Sequence, residues 1–205
     1  MKRVAIVDYG VSNLDSVARA VEECGGQPFV TSEPDVLAEA ASIVLPGVGA
    51  FRVGMTNLRR LGLDEVLDDL VRRRGIPLLG LCLGMHLLAT TGSEGGDTPG
   101  LGFIEGDIVQ LVPHERGERV PHIGWNEVVA ERGSPLLSLD EPPHDYYFVH
   151  SYHLRPAAEG DVVATTPYCG GFVSVIAREN VYGVQFHPEK SSRAGFALLR
   201  GFLSL

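Results

Sequence analysis

Short, almost wholly apolar runs recur through the first half of the chain: Val4-Ala5-Ile6-Val7, Phe29-Val30-Thr31, Ile43-Val44-Leu45 and Ile76-Pro77-Leu78-Leu79-Gly80-Leu81. Runs of this length without polar alternation need cover on both faces, which points to the middle of a parallel sheet with helices above and below. Between them the period changes to that of a helix. Leu14, Val17, Ala18 and Val21 fall at i, i+3, i+4 and i+7, and Gly25-Gly26 stops the pattern. A short helix is expected over residues 36–41 and a longer one over 63–74. In the latter, Asp64 and Glu65 sit in the first turn and Arg72-Arg73-Arg74 in the last. Those charges suit the helix dipole and need no bound anion to explain them.

The second half reads differently. Strands are expected over residues 107–112, 127–130, 146–150, 162–166, 172–177 and 181–186, joined by turns without helices, so they pair antiparallel. Residues 91–100, rich in Gly, Ser and Thr, read as a surface loop, and a helix over 194–202 closes the chain. With no repeat and no internal boundary, the expected architecture is one three-layer α/β domain over residues 1–205, its central sheet mixed and mostly parallel.

Composition narrows the function. A formal net charge of −9 over 205 residues, 44% of them hydrophobic, describes a soluble globular protein and argues against nucleic acid or an anionic membrane as partner. No apolar run approaches the roughly 18 residues of a membrane span, and the start Met1-Lys2-Arg3-Val4 is too soon interrupted for a signal peptide. Cys24, Cys82 and Cys169 show no C-x-x-C spacing, so neither a disulfide framework nor a thiolate metal site is expected, and a reducing cytoplasm is the predicted location.

One of these cysteines stands apart. Gly80-Leu81-Cys82-Leu83-Gly84 follows an apolar strand and precedes Met85-His86-Leu87-Leu88-Ala89, which suits a helix. This is the G-x-S-x-G nucleophile elbow with sulfur for oxygen: a strained turn lifts Cys82 onto a helix N-terminus, where the dipole stabilises negative charge and the Leu83 N–H faces a developing oxyanion. Among seven histidines, His187 sits at a strand end ahead of Pro188, and Glu189, two residues on, can orient its ring. Pro46-Gly47-Val48-Gly49 follows another strand. It fails as a dinucleotide fingerprint because Arg52 stands where the third glycine belongs, but it can supply a second oxyanion donor through the Val48 N–H. His122, His150 and His153 lack the spacing of a metal site, and neither metal nor cofactor is expected.

These segments resemble the triad-type, class I glutamine amidotransferases, whose Cys, His and Glu follow in this chain order. Within that superfamily, Asp8-Tyr9-Gly10, Val120-Pro121-His122-Ile123-Gly124-Trp125-Asn126, Tyr147-Phe148-Val149-His150-Ser151-Tyr152 and Phe186-His187-Pro188-Glu189-Lys190-Ser191 are similar to the glutaminase subunits of imidazole glycerol phosphate synthases. The resemblance runs from about Val4 to the C-terminus. It implies a flavodoxin-like fold and hydrolysis of L-glutamine to glutamate and ammonia by Cys82, His187 and Glu189, with Val48 and Leu83 forming the oxyanion hole. It further implies that the ammonia passes to a (βα)₈-barrel synthase subunit of histidine biosynthesis. It places glutamine near Gly49, His86 and the backbone of Ser151 and Tyr152, and the barrel against Asn13, Ile123, Trp125, Tyr147 and Lys190. Trp125, between Gly124 and Asn126, reads as an anchor in a turn-like stretch.

Two positions depart from the family pattern, Ser12 where Gly is usual and His86 where Gln is usual. The His86 ring either replaces the hydrogen bond of that Gln to substrate or leaves glutamine more weakly held. Rival readings are an amidotransferase serving another acceptor, against which Pro121-His122-Ile123-Gly124-Trp125-Asn126 speaks, and a non-catalytic regulatory subunit, against which the intact Cys82, His187 and Glu189 speak.

Overall fold

The computed structural model describes residues 2–205. In chain order it runs β1 (Arg3–Val7), α1 (Leu14–Glu23), β2 (Gln27–Thr31), α2 (Pro34–Leu37), β3 (Ser42–Gly47), α3 (Phe51–Arg60), α4 (Leu63–Asp68), β4 (Leu78–Cys82) and α5 (Leu83–Leu87). There follow β5 (Ala89–Gly92), β6 (Thr98–Pro99), β7 (Ile104–Gln110), β8 (His122–Ala130), β9 (His144–His150), β10 (Tyr152–Pro156), β11 (Val162–Thr166), β12 (Phe172–Arg178), β13 (Val181–Val184) and α6 (Ser192–Leu203).

The main sheet has nine strands in the order β2-β1-β3-β4-β13-β12-β11-β8-β9. Its first five run parallel, in the strand order of a flavodoxin-like fold. From β13 onward the neighbours are antiparallel. Four of these five are the apolar runs of the sequence; the fifth, β13, expected to have antiparallel neighbours, pairs antiparallel with β12 but parallel with β4, because the chain returns to the middle of the sheet there. β3, β4 and β13 are buried along their whole length. Alternate residues serve opposite layers. Ala5, Val7, Ile43 and Leu45 pack under α3, α4 and α5, whereas Val4, Ile6, Val44, Leu79 and Leu81 pack under α1 and α6. In this arrangement β3, β4 and β13 are neighbours and end on the same edge, where open α/β sheets bind ligands.

The structure adds elements to the expected layout. A second, four-stranded sheet, β10-β7-β5-β6, draws two short strands from the stretch 91–100 read as a loop. The chain first enters this sheet at Ala89 and returns to it across Ser151, between the end of β9 and the start of β10. Helix α3 also went unread: Phe51, Gly54, Met55 and Leu58 form its buried face, and a glycine in the stripe weakens the apolar period. The helix expected over 63–74 is regular only to Asp68 and continues as a wider π turn over Asp69–Arg73. Among the described residues no helix is long and apolar enough to cross a membrane.

The seating of α5 is the tightest packing in this frame. A β-carbon on Gly84 would enter the carbonyl oxygen of Leu45 on β3, and one on Gly80 would come within 2.7 Å of the Gly84 carbonyl. Gly84→Ala is therefore expected to cost about 3 kcal/mol and to lower the Tm by roughly 6–12 °C. Gly133→Ala, at a position with open space around the β-carbon, should leave the Tm unchanged. Calorimetry on the two variants checks the difference.

Candidate active site

Cys82 ends β4 at φ 51, a left-handed conformation that costs a residue with a side chain, and α5 begins at Leu83. The turn is the elbow expected from the sequence. Cys82 is 5% exposed. Its Sγ lies 3.9 Å from the Val149 carbonyl oxygen and 3.9 Å from the side-chain amide nitrogen of Gln185.

His187 approaches from the neighbouring strand end. Beyond β13 the chain passes Gln185 and Phe186, and Pro188 opens a 3₁₀ turn over Pro188–Lys190 that brings Glu189 back beneath the ring. His187 Nδ1 donates to Glu189 Oε1 at 2.8 Å, with both side chains nearly inaccessible, at 5% and 3%. The backbone is pinned as well. His187 N–H donates to the Tyr147 carbonyl at 2.9 Å, and Ser191 Oγ–H donates to the His187 carbonyl at 2.6 Å while accepting from Tyr147 N–H at 3.0 Å. Sequence reading noted Ser191 only as part of a motif. Its role as the clamp behind His187 depends on β9 lying alongside, which spacing does not reveal.

Nε2 of His187 is buried without a hydrogen-bond partner. Burial by itself would push this imidazole below its ordinary value, but interaction with Cys82 and Glu189 outweighs it and raises His187 to about 9. The ring therefore holds its proton at neutral pH.

A cavity of about 420 Å³ opens in front of the sulfur. It brings together Val48, Gly49, Cys82, Leu83, His86, Ser151 and Tyr152, seven positions singled out in the sequence. His86 Nε2 lies 2.8 Å from Gln185 Oε1. Because an amide oxygen accepts, that nitrogen carries the hydrogen and Nδ1 is left as an acceptor. Burial, opposed by the Gln185 bond and aided by His153, lowers His86 to about 4, so the ring is neutral. The bond also turns the Gln185 amide nitrogen toward the Cys82 sulfur, a link that sequence reading missed because Gln185 sits on a buried strand extension.

Glu94 was missed too. It stands in the turn between β5 and β6 and lines the same cavity, and its Oε2 accepts the Phe51 N–H at the start of α3 at 2.8 Å. Arg52 fastens that turn through the Gly95 carbonyl and the Thr98 hydroxyl. The residue that rules out a dinucleotide fingerprint thus braces the cavity wall.

The loop after β3 lines the cavity, but the Val48 N–H on it points away. Val48 N–H donates to the Val11 carbonyl at 2.7 Å, so it is not an oxyanion donor in this conformation. Gly49 adopts φ 116, where a side chain would be strained. Behind this loop a narrow cleft is lined by Asn13, Gly47, Val48, His187, Glu189 and Lys190.

Beside the cleft lies an exposed patch. Trp125 and Tyr147 are direct cross-strand partners on β8 and β9, their rings 6.1 Å apart edge to face, with Lys190 Nζ 5.8 Å from the Tyr147 ring. Ile123 and Trp125 are 60% and 53% exposed. The turn-like stretch expected around Trp125 is regular strand: seven residues from His122 to Val128 pair with β9, and this fixes the side chain outward. The histidines weighed as metal ligands are otherwise engaged. His122 Nδ1 and His150 Nε2 are 3.1 Å apart, and His150 Nδ1 bonds the Tyr152 carbonyl at 2.9 Å.

The chain matches the family described as glutamine amidotransferase class-I over residues 5–204. It is 45% identical to imidazole glycerol phosphate synthase subunit HisH 2 of Nitrobacter winogradskyi, covering 99% of this chain and 98% of that one. Identity to imidazole glycerol phosphate synthase subunit HisH of Moorella thermoacetica is 44%, over 98% of this chain and 94% of that one. Among solved structures, PurLQS from Thermotoga maritima superposes with a TM-score of 0.77 at 20% identity, covering 100% of this chain and 99% of that chain, which speaks for the fold. On the family match and the extent of these relatives, the chain belongs to the class-I glutamine amidotransferases, in the branch of the imidazole glycerol phosphate synthase HisH subunits.

Proposed function

We propose that residues 1–205 act as one glutaminase unit in which Cys82, His187 and Glu189 split L-glutamine into glutamate and ammonia. The observation that carries this reading is a strained, buried cysteine at a strand-to-helix elbow, beside a histidine whose far nitrogen is held by a buried carboxylate. In the cavity the substrate amide carbon faces Cys82 Sγ. The sulfur forms the S–C bond, His187 Nε2 delivers the proton that the thiol gave up to the departing nitrogen, and the C–N bond breaks to release ammonia. Water then adds to the thioester with His187 as base, freeing glutamate and restoring the thiol. Glu189 holds the Nδ1 proton throughout, so that Nε2 faces the reaction.

The amino-acid end of glutamine fits the far wall. Glu94 offers a carboxylate to the ammonium group, Ser151 and Tyr152 offer backbone, and His86 Nδ1 offers an acceptor in place of the family's Gln. Leu83 N–H is one oxyanion donor. Val48 N–H becomes the second when the Gly47–Val48 peptide turns away from Val11. An absent donor costs about 3 kcal/mol, or roughly a hundredfold in rate, so the resting conformation suppresses ammonia release.

The partner is a (βα)₈-barrel synthase subunit that consumes the ammonia in making imidazole glycerol phosphate. Ile123, Trp125, Tyr147, Lys190 and Asn13 form its seat, an exposed aromatic group with a cation beside the rear of the triad. The cysteines are unpaired, which suits a reducing cytoplasm.

Three outcomes follow. Cys82→Ser, assayed in the complex with the barrel, should abolish glutamine-dependent synthesis while leaving synthesis from ammonium salts intact, and a glutamine-like diazo-ketone should label Cys82 but neither Cys24 nor Cys169. The pH profile of kcat/KM for glutamine should fall on its alkaline side near pH 9, as the His187 imidazolium loses its proton. Because the Glu189 charge raises His187, Glu189→Gln should move that limb to lower pH; an unmoved limb would assign it to another group. Trp125→Ala should weaken barrel binding by about 2 kcal/mol, roughly thirtyfold in Kd by titration calorimetry, without lowering the Tm of the isolated chain.

A further inference from the structure

Tyr9 stands two residues beyond β1 and is 1% exposed, its ring packed beside Gly54 of α3. Asn57 fixes its backbone by donating to the Tyr9 carbonyl at 2.9 Å. Its hydroxyl is buried and makes no hydrogen bond. In this conformation that oxygen is a net cost to the fold, because a phenylalanine would fill the same space without leaving a polar group unpaired. Its position is specific. A side chain on Gly47 would run into Tyr9 Oη and come within 3.0 Å of Leu83 Cβ. The orphan hydroxyl therefore occupies the space that Gly47 leaves empty, against the residue whose carbonyl shares a peptide with the Val48 N–H. Burial, together with the charge of Cys82, holds the phenol far above its ordinary value, so it remains an O–H donor at any working pH.

The resting loop gives this donor nothing to do. Val48 N–H is bonded to the Val11 carbonyl at 2.7 Å. When the Gly47–Val48 peptide turns its N–H into the cavity, the Gly47 carbonyl swings the opposite way, into the space that the N–H left. There it meets the Val11 carbonyl, acceptor against acceptor, and a buried carbonyl in that position needs a donor. We propose that Tyr9 is the positioning residue of the oxyanion loop, its hydroxyl donating to the Gly47 carbonyl in the turned conformation and thereby holding the Val48 N–H on the developing oxyanion. The inference rests on the reading of the site as a glutaminase whose Val48 peptide turns, and whose turnover is thereby stimulated, when the barrel subunit binds with imidazole glycerol phosphate in its own site. It adds the residue that stabilises the turned state.

The test is Tyr9→Phe in the complex with the barrel subunit, with glutamine turnover measured in the absence and presence of imidazole glycerol phosphate. The variant should lose about tenfold in stimulated kcat, with KM for glutamine within about twofold of wild type and a Tm equal to or above wild type. A packing role would instead lower the Tm and slow turnover with and without the barrel ligand alike, and that pattern overturns the proposal. So does a stimulated kcat within about twofold of wild type. Ser12→Ala, which removes the other unpartnered buried hydroxyl of the segment between β1 and α1, should keep full stimulation; loss there in place of Tyr9→Phe would reassign the donor and overturn the proposal. A crystal structure of the complex with Cys82 alkylated by a diazo-ketone analogue of glutamine should place Tyr9 Oη about 2.8 Å from the Gly47 oxygen, and an Oη still unpartnered there would contradict it. A wild-type complex without stimulated turnover would instead remove the reading of the site, and this inference with it.

Discussion

The close seating of α5 on β4 and β3 is the constraint on which the site depends. Gly84 lets the helix backbone rest on the Leu45 carbonyl, and Gly80 lets the strand run beneath the first turn of the same helix. With so little room, the chain reverses from strand to helix within one residue, and that residue is Cys82 in a left-handed conformation. The strain costs on the order of 1–3 kcal/mol. It is offset by what the helix buries: Leu83, Met85, Leu87 and Leu88 are all at most 2% exposed, and each such side chain contributes about 1.5–3 kcal/mol. A helix seated farther out would relax the cysteine and withdraw the sulfur from His187. Since β3, β4 and β13 are hydrogen-bonded neighbours, one sheet edge aligns the Val48 loop, the sulfur and the imidazole, each leaving from the end of its own strand.

Among the seven histidines, environment sets one apart. His86, His122, His150 and His153 are all lowered, in each case first by burial. They bond to amides, carbonyls or each other, partners that give a buried positive charge little compensation. His187 is as deeply set, yet it moves the other way because Glu189 is buried with it and Cys82 stands against its free nitrogen. Cys82 and the carboxylate together make the difference, and the carboxylate arrives through the 3₁₀ turn that Pro188 initiates.

Much of this arrangement was legible in the chain. The apolar runs marked the parallel strands because double-sided burial leaves no polar alternation, and the two glycines around Cys82 marked the elbow because only close packing calls for both. The spacing of His187 and Glu189 also anticipated their bond. What escaped shares one physical character: it depends on a partner distant in sequence. Gln185 matters because α5 places His86 over it, Ser191 because β9 lies alongside, and Glu94 because the turn carrying it folds back onto α3. Helix α3 escaped for a related reason. Gly54 occupies a buried stripe position where Leu87 and the Tyr9 ring leave no room for a larger residue, so tertiary packing erased the apolar signal that would have announced the helix.

The Val48 loop separates two spaces that need to communicate. On one side is the cavity that holds Cys82, and on the other the narrow cleft shared by Asn13, Lys190, His187 and Glu189, next to the exposed Trp125 and the half-buried Tyr147. Among the backbone bonds of the resting loop, the one from Val48 N–H to the Val11 carbonyl bears directly on the oxyanion donor. A single bond of this kind contributes a net stabilisation of about 1 kcal/mol, which differential contacts at a partner interface, typically coupling at about 1–3 kcal/mol, can overcome. The gain in rate from a correctly aimed donor is larger, about 3 kcal/mol, and is realised only as the oxyanion forms. A weak latch on a strong donor is what such a gate requires. On the proposed reading the latch would keep turnover low when nothing sits on the aromatic patch, and its release would need no more free energy than one docking surface can supply.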